Sequence, residues 1–281
     1  MDPGGCRLHG GGGSDSQGYG NDGSRPQTGM ITLEDLESFS EDQLSDSGNG
    51  SLEEGGQVME EDESDRMLHY WQDAASGHQV EVPRDMAEPI YQLTTNNEGT
   101  HERESVPFTL ISRKEKCGEV LYEKRHYEKA YWACATVHEE TYEQSICYGF
   151  MKLMRYICQQ NSTGSYLGLT IPIVTVVNTD DQHHTMSREV TVAYHLPTHL
   201  QAQPPHPYDA DIVIQEWAAT IVYTRAFTGP TNEETILYQI NMMAEILDSP
   251  EITLNDSFIV AGYTNPAATN RQNEIWFIER P

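Results

Sequence analysis

The side chains able to do chemistry in this chain are eleven histidines, five cysteines, ten methionines and a few paired acids and bases, and their spacing narrows what they can do. No two cysteines stand at the C-x-x-C spacing of a zinc or dithiol site. His183 and His184 follow a polar run from Asn178 to Gln182, while His195, His199 and His206 surround a Pro-rich loop in which Pro197 precludes a helical two-histidine ligand pair. These five read as loop residues. The chain contains no G-x-S-x-G, no P-loop, no dinucleotide fingerprint and no H-E-x-x-H, so no enzymatic activity is expected. Glu123 and Glu216 are either a carboxylate pair or partners of nearby cations. One segment stands out: Ile146, Phe150, Leu153 and Ile157 recur at helical steps, with Cys147, Met151, Met154 and Cys158 on a neighbouring stripe and Lys152 and Arg155 alongside. Such a surface is either core-facing with snorkelling cations or a soft, adaptable face for a planar ligand. Cys147 and Cys158, ~16 Å apart along a helix axis, cannot be bonded to each other.

The elements that must position these residues have a strand texture from about Ser105 onward, with strands expected at 119–124, 129–137, 169–177, 189–196, 211–216, 219–227, 257–263 and 273–279. A second helix is expected from Ile236, Ile240, Met243 and Leu247, with a cap offered by Thr231 to Glu234. Two halves repeat: Glu123 to Glu216, Tyr131 to Tyr223 and Pro172 to Pro266 keep a nearly constant offset. The pattern predicts an α+β, pseudo-two-fold domain: a distorted, open or closed antiparallel β-barrel flanked by two α-helices.

The net charge of −27 comes from 17 basic against 44 acidic residues, and residues 1–100 alone hold 21 acids and 4 bases. That balance argues against nucleic acid and anionic membranes. Residues 1–66, dense in Gly, Ser, Asp and Glu, predict a disordered acidic tail, and 67–104 a transitional, partly ordered segment. Within the tail, Met30, Ile31, Leu33, Leu36, Phe39 and Leu44 alternate with acids. They are either incidental or a segment that folds on a protein partner. Without a basic, then apolar, start or a span of about 20 apolar residues, the chain is expected to be soluble and cytoplasmic.

Several short motifs occur in order along 105–281: Tyr122-Glu123-Lys124-Arg125-His126-Tyr127, Leu169-Thr170-Ile171-Pro172-Ile173, Leu196-Pro197 and Gln201-Ala202-Gln203-Pro204-Pro205. Ile214-Gln215-Glu216, Thr220-Ile221-Val222-Tyr223, Ala261-Gly262-Tyr263 and Asn273-Glu274-Ile275-Trp276 follow. Together they resemble the SOUL haem-binding protein family. The resemblance implies a distorted eight-stranded barrel with two helices and non-covalent binding of haem or a related porphyrin, without catalysis, in a groove between the first helix and the barrel. It makes His126 the candidate ligand of the haem iron. Cys147, Phe150, Met151 and Met154 would line the ring, with Lys152 and Arg155 meeting the propionates.

Two departures from the family pattern weaken the propionate contacts. Cys147 stands where relatives carry an arginine, and the loop Pro266 to Asn270 lacks a lysine, leaving Arg271 as the nearest cation. Arg125 and His126 point to opposite faces of a strand. Beside the helix His126 reaches iron; against a neighbouring strand it is a hydrogen-bonded histidine. The alternative function is a protein-interaction module that has lost haem affinity, with the acidic tail docking a partner.

Overall fold

The computed structural model describes residues 56–98, 103–229, 231–249, 252, 254–263 and 272–280. Helix α1 (Gly56–Ser76) and helix α2 (Ala87–Glu98), joined through a 3-10 turn at Arg84–Met86, precede the strands. Then come β1 (Glu104–Ser105), β2 (Thr109–Lys116), β3 (Glu119–Tyr127), β4 (Ala130–His138) and helix α3 (Tyr142–Cys158). The first half closes with β5 (Thr170–Ile171), β6 (Ile173–Asn178) and β7 (Glu189–His195). The second half supplies β8 (Ile212–Trp217), β9 (Thr220–Thr228), helix α4 (Glu233–Ile246), β10 (Leu254–Tyr263) and β11 (Gln272–Glu279).

Nine strands form one antiparallel sheet in the order β2-β3-β9-β11-β10-β6-β7-β4-β8, and β1 pairs with β5 in parallel. Leaving out β2, the order is a palindrome of the two halves: β3 answers to β8, β9 to β4, β11 to β7 and β10 to β6. The first strand of each half crosses to the other half, His126 pairing opposite Ile221 and Ala133 opposite Ile214. The eight expected strands are present, with β5 and β6 dividing one of them at Pro172.

Two expectations are corrected. The sheet has nine strands, because β2 returns on β3 through a turn at Cys117 and Gly118, both at positive φ. All eight residues of β2 are exposed, so no buried alternation announced it. Nor does the sheet close: its edges are β2 and β8, and no ladder joins them among the described residues. Side chains rather than hydrogen bonds fill the space between the two ends. Tyr127 of β3, Trp132 of β4, Val222 of β9, Ile259 of β10 and Trp276 of β11 share one buried cluster on the concave face.

Two further clusters cover the convex face. Helix α4, capped by Asn232 accepting from the Thr235 amide, buries Ile236, Ile240 and Met243 against Phe258, Ile275 and Phe277. Helix α3 starts on a capping box of Thr141 and Gln144 and packs on β4 and β7. Its other side is covered by α1 and α2, whose Met67, Leu68, Trp71, Ile90 and Leu93 join the same core cluster. Two helices beyond the expected pair are therefore present. Residues 1–55 lie outside those described, whereas residues 56–66 form the first half of α1. Among the described side chains of that helix the buried anchors are Met67, Leu68, Trp71 and Ala75.

Candidate functional site

The residues expected to form one site are divided between two places. Cys147, Phe150, Met151 and Met154 lie on α3 and are buried, Met154 completely. What covers them is the chain itself. Trp71 of α1 stacks on Phe150 with ring centroids 6.4 Å apart, and Met67, Met86 and Ile90 belong to the same cluster. The expected cations are already engaged. Arg155 holds Asp85 through Nε and Nη2, both at 3.1 Å, and Lys152 Nζ is 2.7 Å from Asp211 and 3.5 Å from Asp209. Burial works against the Lys152 charge, but the two carboxylates outweigh it and hold its pKa above the ordinary lysine value. Cys158 donates to the Pro89 carbonyl, and burial raises its thiol pKa, leaving it a core residue. The face of α3 away from the sheet is thus closed by α1 and α2.

His126 is elsewhere. It lies on β3, which pairs with β2 and β9, whereas α3 packs on β4 and β7. Its side chain is one-third exposed, with Nδ1 3.5 Å from a Glu128 carboxylate oxygen. It lies at the margin of an apolar cleft of about 760 Å³ whose walls include Val176, Trp217, Ile259 and Ile278 from the concave face and Ile221, the residue paired with His126, from the other, with Arg280 at the rim. Arg280 pairs with Asp256 at 2.8 Å. Cavities of ~300–1,000 Å³ are those that bury cofactor-sized molecules.

The neighbouring Arg125 points the other way and is buried. It makes a bidentate pair with Glu274 at 2.8 and 2.9 Å, donates through Nε to Glu123 at 2.8 Å and lies 4.3 Å over the Phe108 ring. Tyr263 and the Trp276 indole also donate to Glu274. Glu123 and Glu216 form no carboxylate pair, since Glu123 holds Arg113 and Arg125 while Glu216 holds Lys129. Both are partners of cations.

A smaller cavity, about 230 Å³, adjoins the cleft and shares Trp217, Ala218, Thr220 and Ile259 with it. Its walls are aromatic: Trp132 stacks on Trp217 at 4.5 Å and Tyr127 on Trp276 at 4.9 Å. His195, read above as a loop residue, is the last residue of β7 and lines this cavity, buried edge-on against Trp132. The parity of the strands was the available signal for this aromatic cluster, because Trp132 and His195 are paired residues on one sheet face. Of the other histidines, His183 is in the 178–188 turn against Phe258, and His199 is in a 3-10 turn. Arg271 and the 266–270 loop lie outside the described residues.

Among the described residues no group of three His, Cys, Asp or Glu side chains is placed to hold a metal ion. No helix among them is long and apolar enough to cross a membrane.

Comparison with known proteins adds the following. A family model described as SOUL heme-binding protein matches residues 103–278. Heme-binding protein 2 of Mus musculus is 30% identical over 161 residues, covering 57% of this chain and 78% of the relative. Heme-binding protein 1 of Xenopus laevis is 27% identical over 186 residues, covering 66% of this chain and 92% of the relative. The solved EcmrR C-terminal domain aligns with a TM-score of 0.40 and 13% identity, over 57% of this chain and 96% of that one.

Proposed function

The chain belongs to the SOUL heme-binding protein family, and from that premise we propose that it is a non-enzymatic binding protein for haem or a related porphyrin, held non-covalently in the cleft bordered by His126. The observation that carries this reading is the pairing of an imidazole with an apolar cleft of about 760 Å³ and a cation at its rim. Those are the three features a flat apolar disc with two carboxylates and a central iron requires. Bound haem would supply an iron that can take an imidazole nitrogen as ligand. With Nδ1 of His126 held toward Glu128, Nε2 is the nitrogen left for that role. Val176, Ile259, Ile278 and Trp217 would take the ring, and Arg280 would exchange Asp256 for a propionate.

Magnitudes favour this cleft over the face of α3. Uncovering α3 exposes Met67, Leu68, Trp71, Met86, Ile90 and Leu93, all buried. At roughly 1.5–3 kcal/mol per side chain the cost is on the order of 10 kcal/mol. Micromolar binding supplies only about 8 kcal/mol. Haem at that concentration does not displace α1 and α2, so Cys147, Phe150, Met151 and Met154 act as core while the two helices are docked. One observation favours a second reading, in which the α3 face takes the ligand once α1 and α2 are removed: both helices precede the matched region, which begins at residue 103. The other alternative, partner docking by the acidic tail through residues 30–44, concerns residues outside those described.

The test is a haem titration of the full chain followed in the Soret band. A saturable shift at micromolar haem is expected, with the band position changed in His126→Ala. Absence of any saturable shift would remove the function, and an unchanged band in the variant would remove the ligand assignment.

A further inference from the structure

The aromatic cavity beside the cleft has features that haem binding does not use. At about 230 Å³ it is too small for a macrocycle but larger than the ~150 Å³ that holds a benzene ring. Two stacked pairs, Trp132 with Trp217 and Tyr127 with Trp276, present flat walls suited to a flat guest. Two polar side chains of the lining, Gln201 and Thr198, are already satisfied, and two buried ones, Tyr127 and His195, carry an unpartnered polar atom. Gln201 accepts from the Tyr131 amide and donates to the Tyr131 and Leu196 carbonyls, and Thr198 bonds Glu104 through its hydroxyl and its amide. The two unpartnered atoms are the Tyr127 hydroxyl and Nδ1 of His195, on residues 7% and 4% exposed, and of these the imidazole nitrogen stands edge-on against Trp132 at the end of β7.

An unpaired buried nitrogen is costly, and native proteins seldom retain one that no water or ligand meets. We infer that this cavity is a binding site for a small, uncharged, fused-ring aromatic molecule carrying one hydroxyl or ring N–H, which packs against the aromatic walls and hydrogen-bonds Nδ1 of His195. An uncharged guest fits because burial also holds the His195 imidazole below its ordinary pKa and hence neutral, with Glu104 pulling weakly the other way. A hydroxyl can donate to or accept from either tautomer of that ring.

The experiment titrates the full chain with 2-naphthol and with naphthalene, following tryptophan fluorescence and confirming saturation by calorimetry. The inference expects saturable quenching, with 2-naphthol bound about tenfold more tightly than naphthalene. In His195→Leu the two probes should bind alike, and in His195→Asn, which restores a polar group near the same point, the preference should return in part. Replacing an unpartnered polar group by an apolar one leaves folding intact, so the melting temperature of His195→Leu should not fall. Equal binding of the two probes to the unaltered chain, or a preference that survives in His195→Leu, would overturn the inference. So would the absence of saturable binding. The Soret titration of His195→Leu should match that of the unaltered chain, which separates this site from the haem reading.

Discussion

Arg125 and His126 are neighbours on β3 with opposite environments, and the alternation of a strand is the whole reason. Arg125 turns to the concave side and is 8% exposed, with its charge met by Glu274 and Glu123. His126 turns to the opposite face beside its paired Ile221 and stays one-third exposed at the margin of the cleft. One of the two acids in this network, Glu123, has a testable pH signature. Burial disfavours the Glu123 carboxylate, but hydrogen bonds and charge from Arg125 and Arg113 win and hold its pKa below the ordinary glutamate value. A carboxyl whose folded pKa is depressed contributes stability that is fully present above the unfolded pKa of about 4.3 and is lost as pH falls through the folded value. The melting temperature should therefore decline below about pH 4, and Glu123→Gln should flatten that limb while lowering the plateau above it. A limb of unchanged slope in the variant would show that Glu123 does not bind protons more weakly in the folded chain.

Helix α3 illustrates how an element is held and how much of it could be read in advance. Its stripe was legible because Ile146, Phe150, Leu153 and Ile157 repeat at helical spacing, whereas its Thr141 cap was not read in advance. Its close seating on the sheet depends on Gly149. A Cβ there would lie 2.6 Å from Cγ2 and 3.2 Å from Cβ of Val192, a stiff β-branched residue on β7. Alanine gains about 1 kcal/mol in helix propensity, yet overpacking of this kind costs about 1–3 kcal/mol. Gly149→Ala should lower stability by about 1–2 kcal/mol in chemical denaturation, and an increase would show that α3 can lift from β7 without loss. The strands were legible for the same kind of reason, from runs such as 170–177 and 189–195. Strand β2 was not, because every one of its side chains is exposed. Helices α1 and α2 were hidden by composition: their few anchors, such as Trp71 and Ile90, are scattered among acids and polar residues. The site suffered most from this. The soft stripe of α3 was readable, but whether it faced solvent depended on those two helices.

For the molecule as a whole, a domain of two interleaved halves carries its apolar surface on both sides of one sheet. The convex side is sealed by α4 and by α3 under α1 and α2, while the concave side retains a cleft and an aromatic cavity. The segment that covers α3 precedes the family-matched region, and on the proposed reading it moves ligand access from helix to sheet. The most direct test compares haem affinity in two variants of the full chain by Soret titration. Ala219→Trp places an indole in the cleft from an exposed position, and Trp71→Ala loosens the cover of α3. The account predicts at least about a tenfold loss of affinity in Ala219→Trp and no change in Trp71→Ala. Unchanged affinity in the first variant together with tighter binding in the second would place the haem against α3 and contradict it.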